Sequence, residues 1–304
     1  MPEDSFPVIA PYNFELSLKF SQHSRFEITD NTAGGHLRRL VNIGSEPVLM
    51  EIWCEGSVER PLGRVSWTNL GYKRIPSTGV KASAARMLCS DLDLKPFYSL
   101  ARRSRAIRRL IEEFRGLKLI LTTTLYEATA WAVMGQQVNL KFASTLKTRL
   151  VKKYGKGISH KGVIYYQFPE PHDLSGVSVS ELQSLQFSRR KAEYITGLTR
   201  TFLDNRLSAP ILSEMTLEDA ITHLQSIRGI GPWSANYIMM RGSGHPNCLP
   251  IGDSGLHRAV QNNYKLTEKP ENKLVEKLAE PFTPYRSLYT LYLWYSLTKE
   301  KVKI

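Results

Sequence analysis

One aspartate is the residue of this chain whose type and position could do chemistry. Asp253 follows Pro250-Ile251-Gly252 and stands where a new helix is expected to begin. Its carboxylate could act in a reaction by stabilising positive charge or by orienting water. It could instead serve only as the helix N-cap, for which aspartate is a favoured residue. The residue alone leaves both interpretations open.

A glycine turn precedes that aspartate in the chain. Gly229 and Gly231 bracket Ile230, and Pro232 follows them. Glycine permits positive φ and a close approach of another backbone, and proline suits the first turn of a helix. The pattern predicts a helix end, a tight hairpin and a helix N-terminus whose free N–H groups can bind an anion. In a basic chain we expect a DNA phosphate.

These two features in this order resemble the helix-hairpin-helix-GPD superfamily of DNA glycosylases, and most closely its AlkA-type 3-methyladenine DNA glycosylase II members. The hairpin motif runs from Leu224 to Gly231, and Gly252-Asp253 follows it. Residues 134–138, 232–237, 284–287 and 292–295 also match, so that the resemblance covers residues 124–296 well.

The resemblance implies a role for each matched position. Asp253 would be the catalytic carboxylate, beside the deoxyribose carbon that loses its base. The rings of the substrate pocket would stack on an electron-poor alkylated base, although packing in the core is the other use of such rings. These pocket residues are Trp233, Tyr237, Trp294 and Phe20. The DNA-contacting residues are Gln136, Gln137, Gly229, Gly231 and Ser234.

The hairpin would also hold an ion. The resemblance places a structural monovalent cation against the backbone carbonyls of Gln225, Ile227 and Gly229. It implies no organic cofactor.

Gln137 departs from the family pattern, which has an apolar wedge at this position. We expect Gln137 to fill the hole that an extruded base leaves in the stack, and Gln136 to be structural at the helix end. The alternative is that both glutamines only satisfy backbone groups at a helix break.

Composition restricts the partner and the compartment. The 304 residues include 41 Lys and Arg against 28 Asp and Glu, a net charge of +13. This excess favours a polyanionic partner, although a merely basic soluble protein is the alternative. The three cysteines are isolated and the seven histidines have no metal-ligand spacing. No stretch is apolar enough for a membrane span. We expect a monomer in the cytoplasm, acting on double-stranded DNA.

The elements that must position these residues suggest an α+β fold. Residues 1–98 are predicted to form an antiparallel sheet with helices, similar by resemblance to half of a TATA-binding protein. Alternating apolar residues predict a strand at Phe14–Phe20, and Pro47–Cys54 and Gly63–Trp67 are predicted as further strands. A mainly helical two-lobed core follows, with one lobe from 99–124 and 246–304 and the other from 125–245. Within it, the basic segment Phe97–Phe114 is predicted to be helical.

The function implied is monofunctional removal of alkylated bases, such as 3-methyladenine, from duplex DNA. Lyase members of the superfamily carry a lysine nucleophile near the hairpin. Here Pro232 and Trp233 follow the hairpin, and the chain has no lysine between Lys191 and Lys265. The alternatives are a bifunctional glycosylase and lyase, an oxidised-base glycosylase, or a non-enzymatic DNA-binding module.

Overall fold

The computed structural model describes residues 1–21 and 27–298 and begins with a four-stranded antiparallel sheet. The strands are β1 (Glu3–Pro7), β2 (Leu37–Ile43), β3 (Glu46–Ser57) and β4 (Arg60–Asn69). Their order in the sheet is β1-β4-β3-β2. Val48, Met50 and Ile52 of β3 are fully buried at alternate positions. They pack in one apolar cluster with helix α2 (Ser77–Met87).

The strands predicted at Pro47–Cys54 and Gly63–Trp67 are confirmed as parts of β3 and β4. The sequence did not reveal β1 or β2. The first is a five-residue edge strand in which Phe6 alone is buried, too little for a period to be seen. The second contains Arg38-Arg39, which interrupts the apolar alternation.

The strand predicted at Phe14–Phe20 is wrong, because this segment forms helix α1 (Phe14–Ser21). Phe14 and Leu18 are buried four residues apart, on one face of the helix. The Asn13 side chain accepts a hydrogen bond from the Leu16 N–H at 3.0 Å and starts the helix. A short alternating pattern places apolar residues both two and four apart, so it fits a strand and a helix equally well.

A larger helical body follows the sheet. Within the described residues, no helix combines the length and the apolar character needed to cross a bilayer. The helical body consists of α3 (Lys95–Ala101), α4 (Arg105–Glu113), α5 (Leu125–Gly135), α6 (Leu140–Tyr154), α7 (Val179–Ser184), α8 (Arg189–Leu203), α9 (Ala209–Ser213), α10 (Leu217–Gln225), α11 (Pro232–Arg241), α12 (Ser254–Tyr264), α13 (Asn272–Ala279) and α14 (Arg286–Ser296).

Two segments of this body differ from expectation. The basic segment Phe97–Phe114 is divided between α3 and α4, because Ser104 breaks it and caps α4. The connector before α7 contains a small hairpin of β5 (Gly157–His160) and β6 (Val163–Tyr166). Lys161 and Gly162 form its two-residue turn, both with positive φ.

The helices share one core. A continuous cluster of buried side chains runs through the proposed lobes 99–124 with 246–304 and 125–245, whereas the sheet and α2 have a second cluster. The division of the helical part into two lobes therefore stays a prediction.

A buried ion network connects the sheet layer to the helical body. Arg39 of β2 binds Asp30 at 2.6 Å and the Leu121 carbonyl at 2.6 Å. Lys147 of α6 lies 2.9 Å from Glu127 of α5 and 2.8 Å from Glu27. Burial opposes ionisation of Glu127, but the charges of Lys147 and Arg39, together with hydrogen bonds from Thr123 and Lys147, outweigh it and lower the pKa of Glu127 to about 2. The network therefore depends on a charged Glu127.

Acid should weaken the fold through this network. Glu127 has a lowered pKa in the folded state, so its contribution is complete above its ordinary value of 4.5 and is lost as the pH falls toward about 2. At pH 7 we expect Glu127→Gln to lower the free energy of unfolding by about 3 kcal/mol, because a buried ion pair is broken. Below pH 4.5 its stability should fall less steeply than that of the wild type.

Denaturant unfolding between pH 2 and pH 7 would measure both effects. Glu15→Gln is the matched control, since Glu15 is an exposed partner of Lys19. If the free energy of unfolding depended on pH identically in the wild type and in Glu127→Gln, the stabilising role given to the Glu127 carboxylate would be contradicted.

Candidate functional site

The two hairpin glycines serve different purposes. Gly229 has φ +97°, and a Cβ there would lie 2.5 Å from the ring of Tyr194. Gly231 has an ordinary extended conformation (φ −96°, ψ −178°) and serves as the N-cap of α11. A Cβ on Gly231 would have no neighbour within 4 Å. Gly229 is thus required by the turn, whereas Gly231 leaves open space at the start of α11.

Gln136 connects the end of α5 to the hairpin. Its side-chain amide donates to the Gly229 carbonyl at 2.7 Å and to the Ser234 hydroxyl at 3.0 Å. Ser234 is buried, with 2% of its surface exposed. Gln136 and Ser234 therefore hold the hairpin in place through hydrogen bonds. This agrees with the expectation that Gln136 has a structural role. As DNA-contacting residues, both stay predictions.

The break between α5 and α6 exposes Gln137, the cap residue Asn139 and Leu140. Gln137 is exposed and has φ +55°, a left-handed conformation. Leu140, the first residue of α6, is 61% exposed. Sequence reasoning missed Leu140, although an apolar residue directly after the Asn139 cap was a signal that could have found it. Either side chain is free to contact a large ligand.

Asp253 is both the N-cap of α12 and a partner of two tryptophans. Its Oδ1 accepts from the Leu256 N–H at 2.7 Å and from the Trp294 indole N–H at 2.9 Å. Its Oδ2 accepts from the Trp233 indole N–H at 3.1 Å. Gly252, with φ +84°, makes the turn that precedes it. The capping interpretation is thus correct without excluding chemistry, because the carboxylate is only half-buried.

Three of the four predicted pocket rings lie together at this carboxylate. Trp233 and Tyr237, one helical turn apart on α11, are stacked with ring centroids 5.3 Å apart. The ring of Trp294 lies 6.4 Å from that of Tyr237. Removal from water raises the pKa of the Tyr237 hydroxyl, although the nearby side chains of Arg241 and Trp131 oppose this shift. The group can stack on a planar molecule and place it against a carboxylate.

Phe20, the fourth predicted pocket ring, contacts Tyr295, and Trp131 is a further ring of this region. Phe20 is half-buried, and its ring centroid lies 6.0 Å from that of Tyr295, the neighbour of Trp294 in the chain. Trp131 was not predicted, and Lys147 of the ion network lies 5.8 Å from its ring centroid. Its signal was its position on α5 just before the Gln136 motif.

The carbonyls proposed to hold a cation lie where α10 ends. The Ile227 carbonyl accepts from the Ile230 N–H at 3.0 Å, and the Gly229 carbonyl accepts from Gln136. Each carbonyl oxygen has a second lone pair. The C-terminal end of a helix is also favourable for a cation. Neutral oxygens of Gln225, Ile227 and Gly229 therefore fit a monovalent ion chemically.

The geometry predicts unequal tolerance of the two glycines. We expect Gly229→Ser to lower the free energy of unfolding by about 1–3 kcal/mol, because it combines positive φ with a clash against Tyr194. Gly231→Ser is the matched control and should change stability by less than about 0.5 kcal/mol, since serine is a good N-cap and the space is open. Chemical denaturation measures both, and equal losses would contradict this account of the hairpin.

Comparison with known proteins identifies the family. The model of the HhH-GPD superfamily base excision DNA repair proteins matches residues 130–284. A DNA-3-methyladenine glycosylase of Bacillus subtilis is 35% identical over 204 residues, which cover 67% of each chain. DNA-3-methyladenine glycosylase 2 of Escherichia coli is 26% identical over 194 residues, or 63% of this chain and 64% of that protein. The matched segments thus span about two thirds of these relatives.

A solved structure has the same fold over nearly the whole length. The 3-methyladenine DNA glycosylase from Archaeoglobus fulgidus superposes with a TM-score of 0.82, and the match covers 96% of this chain and 97% of that one at 24% identity. The α+β class is therefore confirmed, with its N-terminal antiparallel sheet and mainly helical body. The chain belongs to the HhH-GPD superfamily of base excision DNA repair proteins.

Proposed function

We propose that this protein is a monofunctional DNA glycosylase that removes alkylated bases such as 3-methyladenine from duplex DNA. The observation that carries the proposal is the Asp253 carboxylate, held by three N–H donors beside the aromatic group of Trp233, Tyr237 and Trp294. The names of the Bacillus and Escherichia relatives support the substrate class.

The carboxylate would act on charge that develops during the reaction. As the base leaves, positive charge builds on the deoxyribose, and a fixed carboxylate stabilises it without reorganisation. The same group can orient or deprotonate the attacking water. The hydrogen bonds from Leu256, Trp233 and Trp294 fix its direction before substrate arrives. Asp253 therefore needs no movement to meet the transition state.

The aromatic group would receive the extruded base. Alkylated purines are electron-poor or cationic, and the faces of Trp233, Tyr237 and Trp294 attract such rings. The hydrogen bonds at the indole N–H edges keep both tryptophans in place. Phe20 is proposed as a more distant pocket residue, since it contacts Tyr295.

DNA would be bound through its backbone at the hairpin. The first N–H groups of α11 have no helical partner and suit a phosphate, and Gly231 leaves room for it. A monovalent cation on the carbonyls of Gln225, Ile227 and Gly229 would strengthen that attraction. The net charge of +13 favours association with a polyanion.

The absence of a suitable lysine in the sequence supports monofunctional chemistry. The hairpin is followed by Pro232 and Trp233, and the Trp233 indole is engaged with Asp253. Lys191, the last lysine before the hairpin, is buried and donates to the Met134 carbonyl at 2.6 Å. The Lys191 amine is thus engaged at the end of α5 and is not placed to form a Schiff base.

Replacing the carboxylate should abolish the reaction and spare the fold. In Asp253→Asn the amide oxygen can still accept from Leu256 and Trp294, so we expect folding and DNA binding to persist. Base release from methylated duplex DNA should fall by at least about 100-fold. Borohydride should trap no covalent adduct with either protein. Near-normal release by the variant would refute the catalytic role, and a trapped adduct would refute monofunctionality.

The wedge is tested by comparing two neighbouring residues. We propose that Gln137 fills the hole left by the flipped base, with Leu140 beside it at the same break. Gln137→Ala should reduce excision from duplex DNA by about tenfold, because unstacking is no longer compensated, and should barely change excision from single strands. Leu140→Ala is the matched variant. A larger duplex-specific defect in Leu140→Ala would assign the wedge to Leu140.

A further inference from the structure

A cavity lies at the end of α12 that is remote from Asp253. Its volume is about 580 Å³. Asp253 stands before the first residue of this eleven-residue helix and Lys265 follows the last, so roughly 16 Å of helix separates them. The cavity is formed by the turn before α4, by α4 itself and by the segments around α12 and α13. It is therefore separate from the proposed catalytic site.

The polar lining of this cavity is strongly basic. Its walls contain no aspartate or glutamate but five cations, Arg103, Arg105, Arg109, Lys265 and Lys277. All five are exposed, and across residues 1–21 and 27–298 none of them has an ion-pair partner. The neighbouring Arg108, which does not line the cavity, lies 3.9 Å from Glu112. Five like charges around one concave space raise the potential there and favour a multiply charged anion.

Backbone and apolar groups complete the cavity. Ser104 caps α4, and Arg105 and Ala106, the first residues of the helix, line the space. Their N–H groups have no helical partner and suit a phosphate. Leu100, Leu278 and Phe282 supply an apolar wall. A phosphate chain and a flat apolar ring would both find partners here.

Lys265 places one of the five positive charges at the C-terminal end of α12. It ends α12 with φ +55°, a left-handed conformation that glycine or asparagine adopts at lower cost. Its side chain lines the cavity together with the arginines of α4.

We propose that this cavity binds a nucleoside polyphosphate, with the phosphates on the arginines and the start of α4 and the base against the apolar wall. The volume falls within the range of small-molecule sites, roughly 300–1,000 Å³. A concave space of this kind suits a compact ligand better than the convex surface of a duplex. The proposal does not depend on the glycosylase activity.

Binding of ADP, measured by calorimetry on the full chain, tests the proposal. ADP should bind, tripolyphosphate should compete with it, and adenosine, which lacks phosphate, should not bind. In the double variant Arg105→Gln/Arg109→Gln we expect the affinity for ADP to fall by about tenfold or more, because charge-assisted hydrogen bonds are lost. The control is Arg102→Gln/Arg108→Gln, which removes the same charge from the same segment outside the cavity and should leave the affinity nearly unchanged.

Two further measurements keep the result decisive. Thermal unfolding of both double variants should match the wild type, and Lys277→Glu provides a second, independent substitution in the cavity wall. The cavity variants should release bases from a short methylated duplex at the same rate as the wild type. Absence of ADP binding, equal losses in both double variants, or a short duplex that displaces ADP would each overturn the proposal.

Discussion

The Asp253 carboxylate is the point on which the rest of the site depends, because N–H donors from three helices meet there. The Leu256 donor belongs to α12, the Trp233 donor to α11 and the Trp294 donor to α14. Each helix must therefore be positioned so that its N–H donor lies within hydrogen-bond distance of the Asp253 carboxylate. The hairpin fixes the start of α11, and Gly252 fixes the start of α12. Both glycine turns thus help to position the groups that hold the Asp253 carboxylate.

The two carboxylate oxygens that hold the structure together are the same two that would carry the proposed chemistry. Capping of α12 and the two indole bonds hold Asp253 in the orientation that the reaction would need. A group that stabilises transition-state charge is most effective when its position is fixed in advance. Stability and proposed catalysis therefore favour the same geometry here, whereas active sites often store strain.

Local patterns predicted this site better than they predicted its supports. Trp233 and Tyr237 are four residues apart on one helix, so their stacking follows from sequence spacing. Asp253 was recognisable as a cap and, through its order after the hairpin, as a candidate for catalysis. The Gln136 bond to Gly229 and the Glu127–Lys147 pair join residues distant in sequence, which no local period encodes. The helix at Phe14–Ser21 was missed because eight residues fit two periods at once.

Helix α5 joins three parts of the molecule along its eleven residues. Glu127 anchors its first turn in the buried ion network, Trp131 stands beside the aromatic group, and Gln136 fastens its end to the hairpin. Contacts at both ends therefore hold α5 in place. Displacement of α5 would disturb the Gln136 bond to Gly229 at one end and the Glu127–Lys147 pair at the other. If Gln137 enters the duplex as proposed, α5 would resist displacement and the DNA would take up most of the deformation.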